Sequence, residues 1–138
     1  MEKQLLLESI QQCVDACETL ATACSASRKE KIASDCLNEA IDCADGGMIL
    51  MMKLSAENNE LHRNLIKQFV TCCRACINAC SRHDHNEYAH RALQKCHETM
   101  KACHTYVETH LHTSHYFYFP KTHPEYALSS GLRQVFSR

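Results

Sequence analysis

Apolar residues recur at every third or fourth position along residues 1–119, and this spacing is typical of helices rather than of alternating strands. The same stretch contains no proline, because Pro120 and Pro124 are the only two in the chain. Proline is the strongest helix breaker, so its absence allows long, uninterrupted helices. The pattern therefore predicts an all-α protein.

The spacing places four helices at about residues 3–26, 28–54, 57–82 and 85–112. Each would be roughly 35–40 Å long at a rise of 1.5 Å per residue. Long helices joined by short polar links favour an antiparallel, up-down-up-down four-helix bundle. The predicted inward positions are, in chain order, Leu6, Ile10, Cys13, Cys17, Leu20, Cys24, Ile32, Cys36, Glu39 or Ala40, Cys43, Gly47, Leu50, Leu54, Leu61, Leu65, Phe69, Cys72 or Cys73, Cys76, Cys80, Ala89, Leu93, Cys96, Met100, Cys103, Val107 and His110.

These positions divide the predicted bundle into two unlike halves. Thiols and imidazoles gather at one end, namely Cys24, Cys36, Cys80, His83 and His85. Apolar side chains gather at the other end, namely Leu5, Leu6, Leu50, Met51, Leu54, Leu61, Leu65 and Val107. The pair Gly46-Gly47 interrupts helix 2 and predicts a local bend or a close helix contact. We therefore expect a thiol-lined tube that is closed by an apolar plug.

The sequence changes in character after residue 112. Four consecutive aromatic residues, Tyr116 to Phe119, precede both prolines. An aromatic cluster of this kind rarely stays in water. We therefore divide the chain into a cysteine-lined bundle, residues 1–112, and an aromatic-rich C-terminal extension, residues 113–138, which docks on the bundle or on a neighbouring subunit.

Composition restricts the compartment and the partners. A formal net charge of −1 offers no general attraction for nucleic acid or for an anionic membrane surface. No apolar run approaches the roughly 18 residues of a membrane span, and the N-terminus lacks the apolar segment of a signal peptide. We therefore expect a cytosolic protein. In that reducing compartment, 11 cysteines among 138 residues favour metal or thiol chemistry over disulfides.

The cysteines follow the helical phase, because ten of the 11 fall on the predicted inward line. Cys72 and Cys73 lie about 100° apart around the helix, so one of them must flank that line. Pairs such as Cys13 and Cys17 hold their Cβ atoms ~5–6 Å apart, which is too far for an undistorted disulfide but suits two sulfurs converging on one ion. The candidate metal ligands are Cys13, Cys17, Cys24, Cys36, Cys43, Cys72, Cys73, Cys76, Cys80, Cys96 and Cys103.

Soft thiolates with few hard ligands select Cu(I), zinc or iron–sulfur clusters. Zinc and iron–sulfur sites usually take their cysteines from short loop motifs, whereas these cysteines are more numerous and lie mid-helix. A tube lined by thiols suits several Cu(I) ions per chain, so Cu(I) is the best match and zinc the alternative. Two other readings stay open: a zinc-binding or redox-sensing regulatory bundle, and a structural bundle whose cysteines pack as small hydrophobes.

Two histidines, His83 and His85, follow the last cysteine of helix 3 at the turn to helix 4. In one interpretation they form the entrance through which metal passes inward, and in the other they are solvated turn residues. The stripe of His90, His97 and His104 falls one residue beyond the inward line and is expected to face solvent. No catalytic triad, phosphate loop or H-E-x-x-H motif occurs, so we expect a binding protein and not an enzyme.

The cysteine-rich segments resemble the cytosolic copper storage proteins, which are four-helix bundles that bind many Cu(I) ions through inward cysteines. The resemblance rests on CVDACETLATAC, CLNEAIDCAD, CCRACINACSRHDH and CHETMKAC, and it covers about residues 9–106. It implies a homotetramer with metal entry near the histidine-containing end. Well-filled family members have more cysteines, so a smaller Cu(I) load is implied. The positions without thiols at or near the inward line are Leu20, Ala40, Gly46, Gly47, Ala89 and Leu93.

Overall fold

The computed structural model describes residues 2–26, 32–56 and 59–110, and these form four α-helices without a strand. The helices are α1 (Lys3–Ala26), α2 (Ile32–Leu54), α3 (Asn59–Ser81) and α4 (Glu87–His110). The prediction of an all-α four-helix bundle is confirmed. The expected starts of helices 2 and 3, the boundary at residue 112 and the aromatic extension lie outside the described residues. None of the helices described here is long and apolar enough to cross a membrane.

The boundary between α3 and α4 is set by a cap. Residues 82–85 form a turn, and the Asn86 side-chain oxygen accepts hydrogen bonds from the backbone N–H groups of Tyr88 at 2.9 Å and Ala89 at 3.1 Å. These are two of the donors that the first turn of a helix leaves without an intrahelical partner. Helix α4 therefore begins at Glu87 and not at residue 85, as the apolar spacing alone predicted.

Each helix packs against two others: α1 and α3 both contact α2 and α4. The Lys3 ammonium donates to the Leu54 carbonyl at 2.8 Å, which joins the start of α1 to the end of α2. The His62 Nε2 atom lies 2.8 Å from the Lys53 carbonyl, which joins the first turn of α3 to the same end. These two contacts place the start of α1 and the first turn of α3 beside the end of α2.

The apolar half of the core is built around one close helix approach. A Cβ atom on Gly47 would lie 2.5 Å from Val14 Cγ2 and 3.2 Å from Phe69 Cε1, so α1 and α3 meet α2 where it has no side chain. The glycine pair thus marks a close contact, one of its two predicted meanings. The fully buried apolar side chains of this half are Leu6, Ile10, Leu50, Leu54, Ile66 and Phe69. Burial of each contributes roughly 1.5–3 kcal/mol.

The inward faces of α3 and α4 differ in part from the predicted line. In α3, Ile66 is fully buried while the expected Leu65 is only half-buried. In α4, Ala92 and Thr99 occupy the core at positions where the predicted line had Leu93 and Met100, both of which are half-buried. The small residues let α1 approach, since Thr99 Oγ1 lies 3.1 Å from the Ser9 hydroxyl.

Two terminal positions were predicted wrongly. His110 is exposed and stacks on the Tyr106 ring with centroids 4.6 Å apart, because the inward face of α4 ends at Val107. Leu5 is 52 % exposed and does not belong to the apolar plug, since Leu6 occupies the inward position. Of the remaining expected core positions, the side chains of Ile32 and Leu61 lie outside the described part of the chain.

Candidate metal centre

All 11 cysteines are buried, ten of which the helical phase had placed on the inward line. Cys73 has no exposed surface and its Sγ lies 3.8 Å from the Sγ of Cys43 on α2. Cys72 is 5 % exposed and lies beside α2, where a Cβ on Gly46 would be 3.5 Å from its sulfur. Cys73 is therefore the inward member of the pair, and Cys72 the flanking one.

Two groups of four thiols occupy the middle of the bundle. Within each group the four sulfurs all lie within 4.8 Å of one another, and every helix supplies one of them. We name these the lower group (Cys13, Cys43, Cys73 and Cys96) and the upper group (Cys17, Cys43, Cys76 and Cys96). Cys43 and Cys96 belong to both, so the two groups together contain six thiols and share an edge.

Short sulfur–sulfur contacts join the groups into one network. In the lower group, the Sγ of Cys43 lies 3.9 Å from that of Cys13 and 3.8 Å from those of Cys73 and Cys96. Cys96 is also 3.7 Å from Cys13 and 4.0 Å from Cys17. Four elements thus bring their sulfurs to distances at which a single soft ion, or several sharing ligands, can bridge them.

The upper group continues toward the histidine-containing turn. The Sγ of Cys76 lies 4.0 Å from that of Cys17 and 3.9 Å from that of Cys80, one helical turn further along α3. Cys80 in turn interacts with Cys36 on α2, whose thiol donates to the Ala79 carbonyl at 3.7 Å. The predicted convergence of thiols four residues apart is thus seen in Cys76 and Cys80, within a path that runs toward the end of α3.

Cys103 lies apart from this network. It has no exposed surface, and no thiol within hydrogen-bonding distance of its sulfur is found among the described residues. Burial is the main cause that raises the pKa of the Cys103 thiol, and the nearby Cys13 adds to it. Cys103 is therefore not part of the sulfur–sulfur network in the observed arrangement.

Each four-thiol group contains one thiol whose pKa is lowered by its neighbours, Cys13 in the lower group and Cys76 in the upper group. Hydrogen bonds from Cys17 and then Cys43 lower the pKa of Cys13, against the effect of burial. Contacts with Cys17 and Cys43 likewise lower the pKa of Cys76. Burial raises the pKa of Cys73 well above its ordinary value. Further deprotonation in so dry a site needs a compensating positive charge, which a bound metal ion provides.

The two histidines of the turn lie beyond the network. His83 is half-buried and His85 is exposed, with ring centroids 6.3 Å apart. The backbone N–H of His83 donates to the Cys80 carbonyl at 2.9 Å, which places the turn directly after the last thiol of α3. Neither imidazole belongs to the four-thiol groups, and their role as an entrance stays a prediction.

One buried histidine was missed by the sequence reading. His62 is 1 % exposed at the apolar end, where its Nε2–H donates to the Lys53 carbonyl at 2.8 Å. Its Nδ1 atom has no hydrogen-bond partner among the described residues. The sequence did indicate this position, because His62 lies four residues before Ile66, and the same helical spacing leads on to Phe69 and Cys73 along one face.

Comparisons with solved structures find the same four-helix fold in a copper storage protein. The cytosolic copper storage protein of Streptomyces lividans, in a structure with five coppers, has a TM-score of 0.70 at 24 % identity, over 75 % of this chain and 89 % of its own. The same protein loaded with 10 copper equivalents has a TM-score of 0.70 at 24 % identity, over 75 % and 81 %. A histidine-to-alanine variant of it has a TM-score of 0.67 at 25 % identity, over 72 % and 87 %.

A four-helix bundle in which every helix contributes thiols to shared groups defines a class of protein whose interior can hold soft metal ions. The family model of the copper storage proteins matches residues 1–108. Because this match covers most of the 138 residues, the chain belongs to the copper storage protein family. The resemblance read from the cysteine-rich segments is thereby confirmed. No curated protein matches the chain.

Proposed function

We propose that this protein stores or sequesters copper by binding several Cu(I) ions to its buried cysteines. The observation that carries the proposal is the pair of four-thiol groups, each built from one cysteine of every helix and sharing Cys43 and Cys96. A sulfur that belongs to two groups can bridge two ions. The shared cysteines therefore favour a cluster in which several metal ions are joined by bridging thiolates.

The ligands in this proposal are the 11 cysteines, with the six thiols of the two groups as its centre. Cys24, Cys36 and Cys80 extend the path toward the turn, where His83 and His85 receive the incoming ion. Copper reaches the interior as Cu(I) and displaces thiol protons as it binds. The protein acts by binding and release, and we propose no enzymatic step.

Cu(I) explains the number of thiols better than zinc does. Two zinc ions that share Cys43 and Cys96 would use the six thiols of the two groups and leave five of the 11 cysteines without a metal, whereas Cu(I) accepts two or three thiolates per ion and can use them all. Zinc remains the second candidate, because a tetrahedron with Zn–S bonds of about 2.3 Å has edges of about 3.8 Å. The contacts of Cys43 with Cys73 and Cys96, both 3.8 Å, match that edge. One zinc ion could occupy the lower group alone.

Anaerobic titration of the reduced protein with Cu(I), in competition with a chromogenic chelator, tests the proposal. We expect at least four ions to bind more tightly than the chelator holds them. Tight binding of one ion or fewer would exclude a storage role, and one tight zinc ion without multiple coppers would favour the second candidate.

A pair of variants locates the store. Cys96→Ser removes a sulfur that contacts Cys13, Cys17 and Cys43, whereas Cys103→Ser removes one without such contacts. We expect the first variant to lose clearly more tightly bound copper than the second. Equal losses would show that the two groups are not the centre of the store. Circular dichroism of both copper-free variants checks that the helices are intact.

We further propose that the protein is a cytosolic homo-oligomer, with a tetramer as the expected size, and that metal ions rather than nucleic acid or membranes are its partners. The formal net charge of −1 supports the last point. The outward face of α2 supports the oligomer, since Ile41, Met48, Ile49 and Met52 are 40–70 % exposed there. Light scattering on wild type and Met52→Lys tests it: a monomeric wild type would refute the oligomer.

A further inference from the structure

A second concave site lies on the outside of the bundle, between α3 and α4. Its cavity has a volume of about 390 Å³, which is within the range of small-molecule sites. We call it the α3–α4 pocket. Its lining includes two permanent cations, two imidazoles and two apolar side chains: Arg74, Lys101, His97, His104, Val70 and Met100. It is separate from the thiol interior, because none of the cysteines lines it.

The positive charge in this pocket is not balanced within the described residues. Neither the half-buried Arg74 nor Lys101 forms an ion pair or a hydrogen bond there. The Glu108 carboxylate lies 3.0 Å from His104 Nε2 and not within an ion-pair distance of either cation in the described part of the chain. A guanidinium that is partly removed from water without a partner loses solvation that a bound anion restores.

The thiol interior does not supply the missing partner. Cys73 precedes Arg74 in α3, but its sulfur points inward to that of Cys43 at 3.8 Å, away from the pocket. The geometry of Arg74 also suits a planar anion, because its N–H groups form a fork that matches a carboxylate or a phosphate.

The pocket is not purely electrostatic. Val70 and Met100 lie on its wall, and the half-buried Met100 also packs against the core, which holds this wall in place. An inorganic ion would fill only a small part of 390 Å³ and would leave the apolar wall in contact with water. A ligand with an apolar portion covers that wall and gains roughly 25 cal/mol for every Å² of apolar surface it buries.

We propose that the α3–α4 pocket binds a small organic anion, whose carboxylate or phosphate pairs with Arg74 and Lys101 and whose apolar portion lies against Val70 and Met100. This binding is independent of the copper store, since it uses none of the cysteines. It gives the protein a small-molecule ligand in addition to its metal ions.

The test uses the copper-free full-length protein, reduced with dithiothreitol because this reductant is uncharged and does not compete for the pocket. Phenyl phosphate and benzoate are the probes with an apolar portion, inorganic phosphate is the probe without one, and benzyl alcohol is the uncharged analogue. NMR signals of the His97 and His104 imidazoles and of the Met100 methyl group report occupancy. We expect saturable shifts with phenyl phosphate or benzoate, at least fivefold weaker binding of inorganic phosphate, and none of benzyl alcohol.

Variants with matched controls complete the test. Arg74→Gln should weaken binding of the better organic probe at least tenfold, whereas Arg91→Gln, at an exposed site on α4, should change it less than twofold. Lys101→Gln should weaken it at least threefold, with Lys95→Gln as the control outside the pocket. The stronger of phenyl phosphate and benzoate identifies the anionic group of the ligand.

Three results would overturn the proposal. The first is no saturable shift with either organic anion. The second is equal binding of inorganic phosphate and phenyl phosphate, which would remove the role of the apolar wall. The third is an equal loss in Arg74→Gln and Arg91→Gln, which would place the anion elsewhere. Each leaves the copper titration unaffected, because the test is performed without metal.

Discussion

Two adjacent glycines in α2 allow the helix approach in the apolar half of the core to be tested directly. A Cβ on Gly46 would lie 3.5 Å from Cys72 Sγ and 3.6 Å from Phe69 Cδ1, which are ordinary contacts. A Cβ on Gly47 would lie 2.5 Å from Val14 Cγ2 and 3.2 Å from Phe69 Cε1, so it cannot be placed without moving one of them. The two alanine variants therefore add the same methyl group to very different surroundings.

The two substitutions are expected to change the free energy of unfolding in different directions. Replacing a mid-helix glycine by alanine gains about 1 kcal/mol in either position. Overpacking a filled core costs about 1–3 kcal/mol, and only Gly47→Ala incurs it. Gly46→Ala should therefore be about 1 kcal/mol more stable than wild type. Gly47→Ala should be about 1–3 kcal/mol less stable than Gly46→Ala, and the two variants are each other's control.

Urea denaturation of the reduced, copper-free proteins, followed by circular dichroism, gives the free energies of unfolding. The slope of the unfolding free energy against urea concentration should be the same in all three proteins, because each exposes the same surface on unfolding. Equal stabilities of Gly46→Ala and Gly47→Ala would refute the close approach of α1 and α3 to Gly47. Measuring at two protein concentrations separates this effect from any change in association.

Three further predictions concern the cap, the protonation of a tyrosine and the release of copper. Asn86→Ala should cost about 1 kcal/mol of unfolding free energy in urea, because two N–H groups of α4 lose their acceptor, whereas the exposed Asn78→Ala should cost much less. Burial raises the pKa of Tyr106, so wild type should lose stability relative to Tyr106→Phe as pH rises above about 10, by up to about 1.4 kcal/mol per pH unit. Copper affinity, measured against a chelator of known pH dependence, should fall about tenfold per pH unit for each thiol proton displaced by an ion, as pH falls below the thiol pKa.

Each of these has a contradicting result. Equal stabilities of the two asparagine variants would show that Asn86 does not act as a cap. A difference in unfolding free energy between wild type and Tyr106→Phe that stays constant from pH 8 to pH 11 would contradict the direction of the pKa shift. Above about pH 10 the unfolded chain loses the phenol proton while the buried phenol keeps it, and this difference lowers the stability of the wild type. Copper affinity that is unchanged between pH 8 and pH 6 would show that thiol protons are not displaced.

The helix count and the burial of the thiols could be predicted because both follow from spacing within one helix. The exact residues that each helix turns toward the core could not be predicted, because they depend on which neighbouring helix packs against that face. Ile66 replaces Leu65, since a phase error of one residue is invisible when apolar residues occupy both candidate positions. Thr99 replaces Met100 because its smaller side chain fits against Ser9 of α1. His110 was placed inside by extending the same spacing, although the buried face of α4 ends at Val107.

The grouping of the cysteines was also beyond the sequence alone. Spacing in one helix predicted that Cys76 and Cys80 would meet, and they do at 3.9 Å. It could not show that Cys43 and Cys96 are shared by two groups, because that depends on the relative heights of four helices. The α3–α4 pocket was missed for a similar reason, since Arg74 and Lys101 lie on different helices.

Because each thiol group takes one cysteine from every helix, metal binding and the stability of the bundle depend on each other. An ion bound by Cys13, Cys43, Cys73 and Cys96, as we propose, would connect α1, α2, α3 and α4 in one layer. The buried residues of the thiol-lined half are mainly cysteines and alanines, with Leu20 as a larger side chain, so we expect this half to open most easily in the copper-free form. We therefore expect proteases to cleave the copper-free protein first, and each bound ion to lengthen the lifetime of the protein.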